Sequence, residues 1–350
     1  MTTMAPTVLT VLPTRGERGR GAWARPVTAG SGPGVLPAFD LLAQAGRAAE
    51  IATLGGVVAP YDPAGEESWG VAGDQLRHSR WSQVIVQFPT TFATPVYAAK
   101  VSATLQRFSA GRLGWWLAPD ADESPLGFAD VTADRWARAE EFLSVARGVW
   151  SGGPFDFDGE HYQVLGGGFG GPATGLPFPR IHLSGRGRDA LELAARHGDV
   201  HVFTPETGLA ASVAELRELA AAAGRTVEIA LQLSVLARED AADLAHALDS
   251  LDLPAVDRAD VEPPGGRRPG LWRDFTKVDE TGTATERGLA GTYSEVADVL
   301  RGYAELGVST FVLDLRPSIE ETYRFGEHLA PLLDTPQSGS RPAEGAPHVA

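Results

Sequence analysis

Val84-Ile85-Val86-Gln87-Phe88 is an apolar, β-branched run; Pro95–Ser109 follows it, and Leu113-Gly114-Trp115-Trp116-Leu117 closes the unit. The two outer pieces have the length and composition of buried strands. The middle piece opens on a proline, whose fixed φ and missing N–H suit a first helical turn. The stretch therefore reads strand, helix, strand. Outward from it the same alternation continues in both directions. Before it come strands at Val8–Leu12 and Gly56–Ala59. After it come Ile181–Leu183, Val200–Phe203, Ile229–Leu236 and Thr310–Leu313. Helical patterns separate them at Ala38–Thr53, Ser68–Leu76, Ala133–Trp150, Asp189–His197, Leu209–Ala223, Ala241–Leu251 and Ser294–Leu306, and Ile319–Leu333 closes the series. Ala38–Thr53 shows the pattern well, with Leu41, Leu42, Ala45, Ala48, Ala49 and Ala52 on one face. Repeated strand–helix units imply a parallel sheet, and eight of them close into a barrel. The expected fold is an α/β (β/α)8 TIM barrel with insertions.

Three segments interrupt the alternation. Phe155–Val164 places Phe155, Phe157, Tyr162 and Val164 around Asp158-Gly159, a hairpin signature. Gly166–Gly175 is a glycine-rich loop. Asp252–Leu289, with Pro254, Pro263, Pro264, Gly265, Gly266 and Pro269 among many charges, reads as an irregular insertion acting as a lid. Residues 1–335 are expected to form one domain, and 336–350 a disordered tail.

Composition narrows the function. The chain has 45 acidic and 30 basic side chains, a formal charge of −15. Such a surface repels phosphate backbones and anionic lipids, which argues against nucleic-acid or membrane binding. Lys100 and Lys277 are the lysines; every other basic residue is arginine, so an arginine at any one position is weak evidence of a role. The chain holds no cysteine, which removes disulfides, thiolate nucleophiles and Cys-ligated metals. The start lacks the basic-then-apolar layout of a signal peptide, and a cytoplasmic location is expected. His197 and His201 straddle a helix end and a strand, so no metal site is expected. No Ser-His-Asp order and no Walker motif is present.

In a barrel of this kind the chemistry sits after the strands' C-terminal ends. Ser184-Gly185-Arg186-Gly187 is the best candidate anion site. Its glycines follow a strand and open a helix, so backbone N–H groups and Arg186 or Arg188 could cradle a phosphate. Trp115 and Trp116 end the fourth strand, and Trp136 lies in the next helix. Each reads equally well as a pocket platform or as packing. Gln232 and Ser234 share one face of the seventh strand. Arg15 follows the first strand, and Arg316 follows the last; a guanidinium there could clamp an anion or pair with an acid such as Asp314. Thr204 follows the sixth strand.

From about Val8 to Leu333 the sequence resembles the alkanesulfonate monooxygenase branch of the bacterial luciferase-like flavin-dependent monooxygenases. The stretches that carry the likeness are Leu12-Pro13-Thr14-x-Gly16, Arg25-Pro26-Val27 and Ala103-Thr104-Leu105-x-Arg107-x-Ser109-x-Gly111-Arg112, with Phe155-Asp156-Phe157-x-Gly159-x-His161 and Tyr303-Ala304-x-Leu306-Gly307-Val308-x-Thr310-Phe311. Glu320-Glu321-x-Tyr323-Arg324 completes the set. The resemblance implies a two-component oxidoreductase. A separate flavin reductase supplies reduced FMN, the barrel binds it, O2 is the co-substrate, and a small organic substrate is oxidised while water is kept out. A homo-oligomer is the family habit. On this reading Ser184, Gly185, Arg186, Gly187, Trp116, Trp136 and Thr204 bind the cofactor, while Arg316, Arg15, Ser234 and Gln232 act on a substrate, anionic in character and belonging to specialised metabolism.

The sequence also departs from that branch. Its first strand ends in Arg15 where the branch has His, and Gly65 stands for a Cys. Gln232 and Ser234 stand for Arg and His, and Arg316 for a Tyr before proline. Trp116 replaces an Asn and Trp136 a Tyr, while Arg186 and Gly187 replace two serines. Two alternatives therefore stand beside the flavin monooxygenase: an oxidoreductase using another redox partner such as deazaflavin, or no flavin at all, and a non-catalytic partner subunit built on the same barrel.

Overall fold

A computed structural model of the chain describes residues 5–16, 38–122, 134–250, 272–279 and 282–334. The eight expected strands are present: β1 (Thr7–Val11), β2 (Gly56–Ala59), β3 (Gln83–Phe88), β4 (Leu113–Leu117), and beyond the insertion hairpin β7 (Arg180–Ser184), β8 (Val200–Phe203), β9 (Glu228–Arg238) and β12 (Val308–Asp314). All neighbours pair in parallel, β1 to β2 to β3 to β4 to β7 to β8 to β9 to β12. Pairing of β12 with β1, Val8 opposite Phe311, closes the barrel.

The helices fall on the outside, as their apolar faces require: α1 (Ala38–Ile51), α2 (Ser68–His78), α3 (Pro95–Ser109), α4 (Arg135–Trp150), α5 (Arg188–His197), α6 (Leu209–Ala222), α7 (Ala241–Ser250) and α8 (Tyr293–Glu305). Capping fixes several of their starts. Thr94 accepts from the Tyr97 N–H ahead of Pro95, and Thr292 and Glu295 form a reciprocal capping box at α8. The last helical stretch is not continuous. It runs as α9 (Ser318–Arg324), a π-helical turn at Phe325–Leu329, and α10 (Ala330–Asp334). Gly326 in that turn lies so near Ala52 that a Cβ would come within 2.6 Å of the alanine's own Cβ. The missing side chain lets this helical stretch pack closely against the end of α1.

Two apolar layers hold the barrel. The outer one lies between strands and helices and includes Phe88, Trp115, Phe142, Leu183, Tyr303 and Phe311. The inner one fills the lumen with Leu9, Val11, Val58, Ile85, Trp116, Val200, Val202, Ala230 and Val312. Strand alternation assigns the layers, because successive side chains point to opposite faces. Trp115 therefore turns outward, where its indole N–H donates to Ser102 Oγ at 2.7 Å, and Trp116 turns into the lumen.

The expected hairpin is present as β5 (Phe155–Asp158) and β6 (Gln163–Gly167). The insertion reads differently from the expectation of an irregular lid. Its second half is a hairpin of β10 (Trp272–Asp279) and β11 (Gly282–Thr292), and β11 adds to the sheet by pairing Gly288–Thr292 with Ser234–Arg238 of β9. The prolines that suggested irregularity all precede Trp272, whereas Trp272, Phe275, Thr276 and Val278 form a β-prone run. The first half of the insertion, 251–271, and the tail, 336–350, lie outside the described residues.

Candidate active site

The C-terminal ends of β3, β4, β7, β8 and β9 surround a cavity of about 500 Å3, within the ~300–1,000 Å3 typical of small-molecule sites. Its floor is the lumen face of β4. Trp116 is 2% exposed there, and its Nε1–H donates to Ser184 Oγ at 2.9 Å. Gln87 and Gln232 supply amides from β3 and β9. The Gln87 carbonyl oxygen accepts from the Tyr61 N–H at 3.0 Å, which fixes that side chain.

One wall is the turn between β7 and α5. Gly185 has φ +127°, and a Cβ on it would meet Trp136 at 2.6 Å and Ala190 at 3.0 Å. Both the backbone angle and the indole demand glycine. Gly187 has φ +89° and faces open space, and no side chain caps α5. The N–H groups at the start of α5 are thus left without a capping side chain. Arg186 arches over the turn, donating to Thr204 Oγ1 at 3.2 Å and pairing with Glu206 at 3.1 Å. Arg188 points away, to Glu192 and Glu215.

The cavity's charges balance. Arg135 and Arg186 line it, and so do Asp120 and Glu206. Asp120 is reached by solvent through the cavity, yet the protein mass around it raises its pKa above the ordinary carboxylate value. Its own backbone N–H and Arg135 oppose that rise without cancelling it.

The structure thus brings Trp116, Trp136, Ser184, Gly185, Arg186, Thr204 and Gln232 to one cavity. Arg15, Arg316, Ser234 and Gly187 are not among its lining residues. Arg15 pairs with Asp62 beside β1 and β2. Arg316 pairs with Asp314 at 2.7 Å past β12, and Ser234 sits opposite Asp314 in the β9–β12 register. Each arginine follows β1 or β12 and pairs with an acid on that side of the barrel mouth. Sequence reasoning places Asp120 and Glu206 among the residues that follow the strands without giving either a role, and it passes over Gln87 and Arg135. Asp120 and Glu206 each stand three residues past a strand end, and Gln87 is the polar residue in its strand's apolar run. Those signals could have found them. Arg135 carried no local signal.

A cavity at this end of a parallel barrel, with a glycine turn on its wall, is shared by many enzymes, and comparison with known proteins narrows the choice. The family model described as luciferase-like monooxygenase matches residues 24–310. The chain belongs to the luciferase-like monooxygenase family. Several solved structures superpose over almost the whole chain. The EDTA monooxygenase of Chelativorans sp. BNC1 gives a TM-score of 0.70 at 19% identity, covering 95% of this chain and 96% of that one. The oxygenating constituent of 3,6-diketocamphane monooxygenase from Pseudomonas putida, a structure in complex with FMN, gives 0.68 at 13%, covering 94% and 99%. The coenzyme F420-dependent tetrahydromethanopterin reductase of Methanopyrus kandleri gives 0.67 at 14%, also covering 94% and 99%. At these identities the likeness concerns the fold. No described helix is long and apolar enough to cross a membrane.

Proposed function

We propose that this luciferase-like barrel binds reduced FMN, delivered by a separate flavin reductase, and uses it with O2 to oxidise a small organic substrate. The observation that carries the reading is the shared cavity: a glycine turn suited to a phosphate and the indole of Trp116 line the same space. The turn fits a phosphate because Gly187 faces open space, no side chain caps α5, and Arg186 stands over it. Reduced flavin would supply the electrons that activate oxygen. The chain's residues would do the rest. Arg186 and the N–H groups of Gly185 and Gly187 hold the phosphate, Thr204 steadies Arg186, and Trp136 keeps the turn in shape. Trp116 gives the flavin ring an apolar floor that excludes water. Gln232, on the inner face of β9, hydrogen-bonds the substrate.

A second reading is favoured by Trp116. Where an amide would meet a flavin ring edge, this indole spends its N–H on Ser184. A deazaflavin cofactor is then the alternative, and the F420-dependent reductase is built on the same fold. Anaerobic titration with reduced FMN, and separately with reduced F420, distinguishes the two. Saturable binding of FMN, with accelerated flavin reoxidation on mixing with oxygen and substrate, is the expected result. Binding of F420 alone would replace the first reading with the second.

A further inference from the structure

Glu206 occupies an unusual place for a cavity that would receive a phosphate. It comes from the segment after β8, lines the cavity, and its carboxylate meets Arg186 Nε at 3.1 Å. Its side chain is 22% exposed, against 75% for Arg186, so the acid is the more firmly enclosed partner. Arg186 also bonds Thr204, two residues before Glu206, so one short segment holds the guanidinium at two points. Asp120 is a second acid on the cavity wall, and it makes no ion pair within 4.0 Å among the described residues. The cation best placed over the turn is therefore already neutralised, while Asp120 and Arg135 add one charge of each sign to the wall.

We propose that Glu206 is a specificity-determining residue for this cavity: it acts as an internal counter-ion that an incoming anionic group must displace from Arg186, and it thereby weakens phosphate-bearing ligands relative to phosphate-free ones of the same shape. This rests on the flavin reading above. The physical basis is the competition of two anions for one guanidinium. A phosphate arriving at the turn meets a carboxylate close by, and like charges at that spacing repel even with solvent screening. Removing the carboxylate's charge while keeping its shape frees Arg186 for the ligand.

FMN and riboflavin carry the same ring and differ in the phosphate, so they isolate the effect. Equilibrium binding of the reduced form of each is measured anaerobically by quenching of the protein's tryptophan fluorescence for the wild-type chain, Glu206→Gln and Arg186→Gln, with 31P line broadening of inorganic phosphate alongside. Glu206→Gln is expected to tighten FMN by about tenfold and to leave riboflavin within about twofold, while Arg186→Gln weakens FMN. If Glu206→Gln weakens FMN, or moves both flavins equally, Glu206 merely positions Arg186, and the proposal is overturned while the flavin reading survives. If neither flavin binds any of the proteins, the flavin reading fails instead. Phosphate then decides: tighter phosphate binding by Glu206→Gln supports the counter-ion role, and equal or absent binding overturns it.

Discussion

Trp116 Nε1 donates to Ser184 Oγ at 2.9 Å, tying the lumen floor on β4 to the start of the turn after β7. The indole is 2% exposed, so its N–H has little access to water. Leaving a buried donor unpaired costs about 1–3 kcal/mol. Ser184→Ala is therefore expected to lower unfolding stability by about that amount in urea titration. Trp116→Phe removes the donor, and the double variant should then lose less than the sum of the two singles. Strict additivity in this cycle would show that the hydrogen bond contributes nothing to stability.

Gly185 and Gly187 both hold positive φ, +127° and +89°, but their surroundings differ. A Cβ on Gly185 runs into Trp136, whereas a Cβ on Gly187 meets nothing within 4 Å. Gly187→Ala is expected to cost about 1–2 kcal/mol from backbone strain alone. Gly185→Ala adds a clash with an indole and should cost clearly more, with Trp136 fluorescence shifting as the ring is pushed aside. Equal thermal midpoints for the two variants would contradict the packing described for Trp136.

The sequence made the barrel legible because each strand–helix unit carries its own local signals, such as Pro95 at a helix start. It could not assign Trp115 and Trp116. Strands of a parallel barrel are apolar on both faces, so no polar alternation marks which side looks inward. Trp136, read equally as platform or packing, does both: it packs under the Gly185 turn and lines the cavity. The phosphate-turn candidate is visible from its glycines, and Asp314, two residues from Arg316, is visible as its partner. The partner of Arg15 is not, because it depends on Asp62 being a spatial neighbour. For Asp62 that neighbourhood is created by β1 pairing with β2. Arg135 reaches the cavity from the start of a helix well removed from β4 in sequence, a contact that only closure of the fold produces. The hairpin from Trp272 to Thr292 was hidden by the run of prolines before it.

Arg238 and Glu321 form a two-point pair, with both hydrogen bonds at 2.8 Å and side chains 13% and 5% exposed. It joins the end of β9 to α9 at the barrel mouth. Burial raises the Glu321 pKa, and Arg238 works against that rise. Removing one partner leaves a charge enclosed without its counter-ion, which costs about 3–5 kcal/mol in buried pairs. Glu321→Leu should approach that range in urea unfolding. Arg238→Met with Glu321→Leu should recover most of the loss, because an apolar pair of similar volume suffers no such desolvation. A double variant no better than the single would mean that the pair's geometry, rather than its charge, holds α9.

His182 and His201 are buried at 4% and 0% exposure, and burial lowers the pKa of each from 6.5 to about 4. The Trp115 carbonyl beside His182 and the Gly185 backbone beside His201 oppose this shift without cancelling it. Both rings therefore stay neutral in the folded chain until the pH nears 4, while the unfolded chain takes up protons below about 6.5. The sign follows. Above pH 6.5 these groups add no pH dependence, stability falls as pH drops from 6.5 towards 4, and below 4 their contribution levels off. At pH 5 each site should have cost about 2 kcal/mol relative to pH 7. His201→Phe, set beside Phe203 at 4.4 Å between ring centres, removes one titrating group from an apolar niche. Urea midpoints for the wild type and this variant at pH 7 and pH 5 separate the ionisation effect from any packing change, which is common to both pH values. The variant should lose less stability on acidification than the wild type by about 2 kcal/mol. Parallel losses in the two proteins would mean that His201 takes up its proton without unfolding.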